Sequence, residues 1–181
     1  YKITEGTSGM VYYMAGWSTS SSATAATYTN GQSVTNINNG SNTTLYAVWK
    51  NLFSYSGSYS VLSDGSGNWR IKFLASGTLT FNSSGNAVNL DVFCGGGGGG
   101  GYTKTSKGVT ANAGTAYSVT IGSGDTPSYA QQTAAGSGGT TSALGVSAAG
   151  GYGGYSGGGG GAGATKNAAG GAGGGGNFYW N

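Results

Sequence analysis

The chain has 181 residues, of which 7 are basic and 4 acidic, with no histidine, one cysteine and 41 glycines. Leu, Ile, Val and Phe together make up about 14% of it, below the roughly 20% expected of a packed apolar core. The inventory excludes histidine-based triads, histidine-ligated metals and thiolate zinc clusters. Its four carboxylates, Glu5, Asp64, Asp91 and Asp125, are scattered, so the chain reads as a non-enzyme with no cofactor and no metal. A low apolar content is also a mark of disorder, but disordered chains have high net charge and few aromatics, whereas here the net charge is +3 and 12% of residues are aromatic.

In chain order, the first half reads as short antiparallel strands. Tyr1 opens the chain in strand-like sequence and is not a methionine, as in a piece or processed product of something longer. Met10-Val11-Tyr12-Tyr13, Thr44 to Trp49, Trp69-Arg70-Ile71-Lys72-Phe73, Thr78-Leu79-Thr80-Phe81 and Ala87 to Cys94 form the predicted strands. Asn30-Gly31, Asn39-Gly40, Asp64-Gly65 and Ser84-Gly85-Asn86 supply the positive-φ residues of tight connections. Cys94, which closes the alternation Val88-Leu90-Val92-Cys94, reads as a small buried hydrophobe. No amphipathic helix is predicted, and no stretch reaches the roughly 18 apolar residues of a membrane span.

The first fifty residues carry Gly16-Trp17-Ser18-Thr19, Tyr28-Thr29-Asn30-Gly31-Gln32-Ser33-Val34-Thr35 and the closing Thr44-Leu45-Tyr46-Ala47-Val48-Trp49-Lys50. In these the segment resembles the Listeria–Bacteroides repeat, a small β-grasp-like module of bacterial surface proteins and some phage proteins, with its opening strand short or missing. The resemblance implies a spacer at 1–50 that positions another domain. Trp17, Tyr46 and Trp49, large residues among few aliphatics, are expected to be its core.

Composition changes at Cys94, since 31 of the glycines lie between Gly95 and Gly176. A run of seven, 95–101, looks at first like a flexible linker. The later spacing argues for order. Every third position from 136 to 163 holds glycine (Gly136, Gly139, Gly145, Gly151, Gly154, Gly157, Gly160 and Gly163), with only Ser142 and Ala148 interrupting. Three residues per turn is the polyproline-type geometry, in which a run of seven spans about 22 Å and glycine fills the crowded positions. The expected fold is therefore mainly β: a β-grasp-like module at 1–50, a β-strand leader at 51–94, and a bundle of packed polyglycine II helices at 95–181. Backbone hydrogen bonds would hold that bundle together, supplemented by Cα–H···O contacts.

From about residue 55 onward, Leu90-Asp91-Val92-Phe93-Cys94 runs into the glycines, Gly114 to Gly122 reads as a turn and strand, and glycine runs surround Gly150, Gly157 and Gly173. This order resembles the glycine-rich domain of bacteriophage tail-fibre and tail-tip adhesin proteins. The resemblance implies a sandwich of polyglycine helices whose loops bind the bacterial surface, on a virion tail or cell surface. It also implies a homo-oligomer, commonly a trimer, or attachment to a larger fibre.

Other motifs fail on context. Glycine runs satisfy G-x-G-x-x-G without a βαβ unit, Lys104 and Lys107 read as solvated loop charges, and +3 spread over the chain with one arginine, Arg70, disfavours nucleic acid. The receptor-binding candidates are the bulky and polar residues that interrupt the glycines: Asp125, Tyr129, Gln131, Tyr152 and Tyr155. Tyrosine offers rigid area for stacking on sugars, so the expected partner is a bacterial surface glycan or outer surface protein. The alternative is a structural fibre protein with no receptor site of its own.

Overall fold

The computed structural model describes residues 1–38, 40–83, 85–98, 101–124 and 136–152. Among them the chain is mainly β, and it contains no helix. β1 (Lys2–Thr4), β2 (Met10–Ser18) and β3 (Tyr46–Asn51) form an antiparallel sheet in that order. β2 is bulged between Met14 and Gly16. Gly16 sits at φ +147, and a Cβ there would overlap the Tyr28 carbonyl oxygen. Glycine thus lets the stretch ending at Tyr28 close on β2, with the Trp17 N–H donating to the Tyr28 carbonyl at 2.8 Å and the Tyr28 N–H to the Trp17 carbonyl at 3.0 Å.

The expected aromatic core of this module is corrected. Tyr46 and Trp49 are each 41% exposed, and Trp17 is half-buried. Val48 takes the inward position of β3. Trp49 has the opposite strand parity, and Tyr46 stands at the free end of the strand, paired with Ser18. Parity outweighed size at Trp49, and the strand end did so at Tyr46.

β4 (Phe53–Tyr55), β7 (Gly77–Phe81), β10 (Ala116–Thr120), β11 (Thr141–Ala143) and β12 (Val146–Ala148) build a five-stranded antiparallel sheet in the order β12-β11-β10-β7-β4. Two hairpins accompany it, β5 (Tyr59–Ser63) with β6 (Trp69–Phe73) and β8 (Val88–Gly95) with β9 (Thr103–Ala111). Phe53 stands opposite Phe81, both fully buried. Tyr55, Tyr59 and Phe73 close over them with ring centroids 4.7 to 6.0 Å apart. The Tyr55 hydroxyl donates to the Ala75 carbonyl at 2.6 Å, and burial pushes its pKa up.

The apolar cluster and the strand pairing run across positions 50/51 and 94/95. Val11 packs with Leu52 and Phe53, the Leu52 N–H donates to the Val11 carbonyl at 2.7 Å, and β8 ends on Gly95. β8 alternates as its sequence dictates. Val88, Val92 and Cys94 are buried while Asp91 and Phe93 face outward, and the Cys94 thiol donates to the Val146 carbonyl at 3.6 Å. Burial raises the pKa of that thiol. The apolar faces of β8 and β9 pack on β11 and β12 as a second layer. Lys104 and Lys107 lie on β9, exposed, and not on a loop, because the polar sequence from Thr103 is pulled into register by β8.

Candidate functional site

Five segments continue the strands of these two layers beyond their ends. β8 runs on into 96–98 and the chain returns through 101–102 to β9; β10 runs on into 121–124, 136–140 leads back to β11, and β12 runs on into 149–152. Packed sheets ordinarily stand about 10 Å apart, held off by side chains. Here the side chains stop and the layers meet.

The Gly97 N–H, from the β8 side, donates to the Gly139 carbonyl at 2.9 Å, and the Gly97 carbonyl accepts from the Gly151 N–H at 3.0 Å. The Gly138 N–H closes the triangle by donating to the Gly151 carbonyl at 2.8 Å, and the Gly139 N–H reaches out to Ser123 at 2.9 Å. Tyr102 and Gly96 are tied in through the Tyr102 N–H to Ala149 at 2.9 Å and the Gly96 N–H to Tyr102 at 2.7 Å. In a β-ladder each segment bonds its two flanking neighbours within one plane. Three segments that each bond the other two cannot be coplanar, so backbone bonds here replace a layer of side chains.

Space, not backbone conformation, demands glycine at these positions. A Cβ on Gly96, Gly97, Gly122, Gly138 or Gly150 would overlap the carbonyl oxygen of Ala149, Ser123, Gly139, Gly97 or Gly138 respectively, and none of these five glycines has a positive φ. The Cα hydrogen pointing along each of those directions is therefore aimed at a carbonyl, the arrangement of a Cα–H···O contact.

The glycines of the third-position series fall in different structural settings. Gly139 and Gly151 lie in these contacts, and Gly151 is buried. Gly136 is exposed at the start of its segment. Gly145 belongs to a different structure: with Leu144 at φ 51 and Gly145 at φ 77 it makes the two-residue turn between β11 and β12. Gly138 and Gly150, which lie out of phase, are as closely packed as any in-phase glycine. Consecutive residues of a threefold helix point about 120° apart. A segment with neighbours on several sides therefore needs glycine at successive positions, and only one packed on a single side shows a clean period. Gly154, Gly157, Gly160 and Gly163 lie outside the described residues.

Of the receptor-binding candidates, Tyr152 is described and is 63% exposed; Asp125, Tyr129, Gln131 and Tyr155 lie outside the described residues. The stretch 125–135 joins Gly124 to Gly136, and Tyr155 follows Tyr152 by three positions. Tyr152 lies in the segment that continues β12, beyond the Val119–Gly77 rung of the five-stranded sheet. The β1–β3 sheet joins at the other end of that sheet, through Leu52 and the Phe53–Phe81 rung.

Among the described residues no group of three His, Cys, Asp or Glu side chains could hold a metal. The three described carboxylates are occupied by neutral donors. Glu5 accepts from the Ser63 N–H at 2.6 Å and Asp91 from the Gly108 N–H at 3.0 Å. Asp64 accepts from the Asn68 amide at 2.8 Å, the Ser66 hydroxyl at 2.7 Å and the Ser66 N–H at 2.9 Å, which hold its pKa down to about 2. An open groove of about 290 Å³, lined by Val34, Asn36, Ile37, Asn38, Thr43 and Leu45, lies in the β2–β3 connection and not among the glycine segments. Among the described residues no helix is long and apolar enough to cross a membrane. No protein-family model matches the chain, and no curated protein and no solved structure matches it.

Proposed function

We propose that this chain is a tip or fibre component of a bacteriophage tail, or of a comparable bacterial-surface adhesin. In it a β-sandwich runs on into a polyglycine II bundle that presents loops to a bacterial surface glycan or outer surface protein. The observation that carries the reading is the backbone triangle that Gly97, Gly138–Gly139 and Gly151 make, which lies where five segments leave two β-layers together. Such a base is a rigid support, and binding residues concentrate on loops fixed by a rigid scaffold. No catalytic role is assigned, and the virion tail or cell surface is the proposed location.

Replacing Tyr129, Tyr152 and Tyr155 by alanine tests the reading, with thermal melting and adsorption to bacterial cells measured on the same protein. Lost adsorption with unchanged melting supports a receptor site on these residues. Lost stability with retained adsorption assigns the tyrosines to the scaffold, and failure of the unaltered chain to adsorb to any bacterial surface favours a structural fibre component.

A further inference from the structure

Most exposed strand edges of the described chain are short, charged or bridged, as in folded proteins that avoid pairing with other chains. β1, β4 and β12 have three residues each. β6 carries Arg70 and Lys72, β9 carries Lys104 and Lys107 and is bulged at Lys107–Gly108, and β8 carries Asp91 opposite that bulge. The free side of β5 is bridged at Val61 by Gly6. β3 has six residues, Tyr46 to Asn51, lies at the edge of its sheet and is unbulged, with Lys50 as its single charge.

The outward-facing groups of β3 follow from one hydrogen bond. The Leu52 N–H donates to Val11 of β2, so by the alternation of an antiparallel ladder the backbone groups of Lys50, Val48 and Tyr46 also face β2. Those of Ala47, Trp49 and Asn51 face away. These three positions have no strand partner on that side among the described residues, and Trp49 exposes 41% of its surface beside them.

We propose that this edge pairs with the same edge of a second copy of the chain, antiparallel and centred on Trp49, which joins two three-stranded sheets into one of six strands. A two-fold axis at Trp49 sets Ala47 opposite Asn51 of the second copy, so each outward N–H and carbonyl meets its counterpart. The two Trp49 side chains become a directly opposed cross-strand pair on the face that also carries Met14 and Trp17. Lys50 falls opposite Val48 of the second copy, so the two lysines do not confront each other. The contact is isologous and closes as a dimer; it builds no trimer.

Sedimentation of the full chain over a concentration series tests this, with three variants. Ala47→Pro removes an outward N–H without touching the β2 ladder, and Trp49→Lys opposes two cations at the axis. The paired substitution Ala47→Cys with Asn51→Cys places thiols across the proposed register, at a Cα separation of about 5.5 Å that a disulfide accepts. The expected results are a reversible dimer for the unaltered chain, monomers with unchanged circular dichroism and melting for the first two variants, and covalent dimers on mild oxidation for the third. Buried Cys94 takes no part. An unaltered chain that stays monomeric at its highest soluble concentration overturns the proposal, and so does a dimer unaffected by Trp49→Lys, or a cysteine pair that gives no chain-to-chain disulfide. If Ala47→Pro fails to fold, Trp49→Lys and the cysteine pair decide.

Discussion

The two halves of the described chain keep their interiors dry by opposite means. Around Phe53, Phe81, Leu79 and Val61, side chains fill the space between backbones, and most glycines sit in turns or a bulge, with Gly57 and Gly77 packed backbone to backbone where β7 begins. In the segments that run beyond the strand ends the backbones themselves fill the space, and a side chain at Gly96, Gly97, Gly138 or Gly150 would have nowhere to go. The contrast shows how a chain with so few aliphatics folds: where apolar residues run out, the layers come together until carbonyl and amide groups satisfy each other. The geometric cost is strict, because every position facing a neighbour must lack a Cβ.

The largest expected effect breaks the apolar side of this comparison. Phe53→Ala or Phe81→Ala empties a fully buried ring position and should cost about 3–5 kcal/mol, measured by chemical denaturation. Since Val11, Val92 and Val146 belong to the same cluster, the loss should appear as one cooperative transition that includes the glycine segments. A separate, unshifted transition for residues past Gly95 would show the two regions to be independent.

Next in size is the backbone-packed side. Gly97→Ala or Gly138→Ala forces a methyl onto a carbonyl of a neighbouring segment and breaks into the triangle of hydrogen bonds. Overpacking together with the loss of one or two bonds should cost about 2–4 kcal/mol. Amide exchange should localise the damage to 96–98, 122–123, 138–139 and 149–151. Equal tolerance of alanine at Gly97 and at Gly124, where no described residue lies within 4 Å, would refute packing by space.

How much of this could be read in the sequence depended on which signal was used. Alternation placed Val88, Val92 and Cys94 inward and predicted Trp69 to Phe73 as a strand to the residue. Size misled at Trp49, where parity decides, and at Tyr46, which shares the parity of Val48 but stands at the end of the strand. β4, β5 and β9 went unread because serine, threonine and lysine break up the apolar pattern in them, and their partners supply the register that their own sequence lacks. The glycine period indicated order but blurred the details. Gly145 falls in phase by coincidence with a hairpin turn, and Gly138 and Gly150 fall out of phase because their segments have neighbours on more than one side. The meeting of segments far apart in sequence, Gly97 with Gly139 and Gly151, left no local trace.

A smaller effect, sensitive to pH, concerns a turn on the side-chain-packed half. Asp64 is held ionised in its turn by donors from Asn68 and Ser66, with its pKa lowered to about 2. A carboxyl depressed on folding contributes stability that is fully present above its unfolded value of about 3.9 and is lost as pH falls through the folded value. The melting temperature should therefore fall between about pH 4 and pH 2, and Asp64→Asn should flatten that part of the profile. Because the carboxylate lies in an exposed turn between β5 and β6, amide protection past Gly95 should not change with it. A matching loss of protection at Gly97 or Gly139 would mean the halves share more than their core.

The smallest effect should have the opposite sign. At Gly95 and Gly124 no atom of the described residues lies within 4 Å of the point where a methyl group would stand, and neither has a positive φ, so among the described residues neither space nor conformation requires glycine there. Alanine at either site restricts the unfolded chain without straining the folded one, which stabilises by about 0.4–1 kcal/mol where the backbone is compatible. At Gly31 and Gly65 the surroundings are equally open but φ is +77 and +78, and alanine there should destabilise by about 1–2 kcal/mol because an L-residue strains in the left-handed region. The three classes separate the two reasons for glycine in this chain: Gly97 for space, Gly31 and Gly65 for conformation, and Gly95 and Gly124 for neither. If Gly95→Ala and Gly124→Ala destabilise as strongly as Gly97→Ala, then crowding by neighbouring segments extends beyond the triangle, and the boundary between the two packing regimes lies nearer the β-sheets than Gly96.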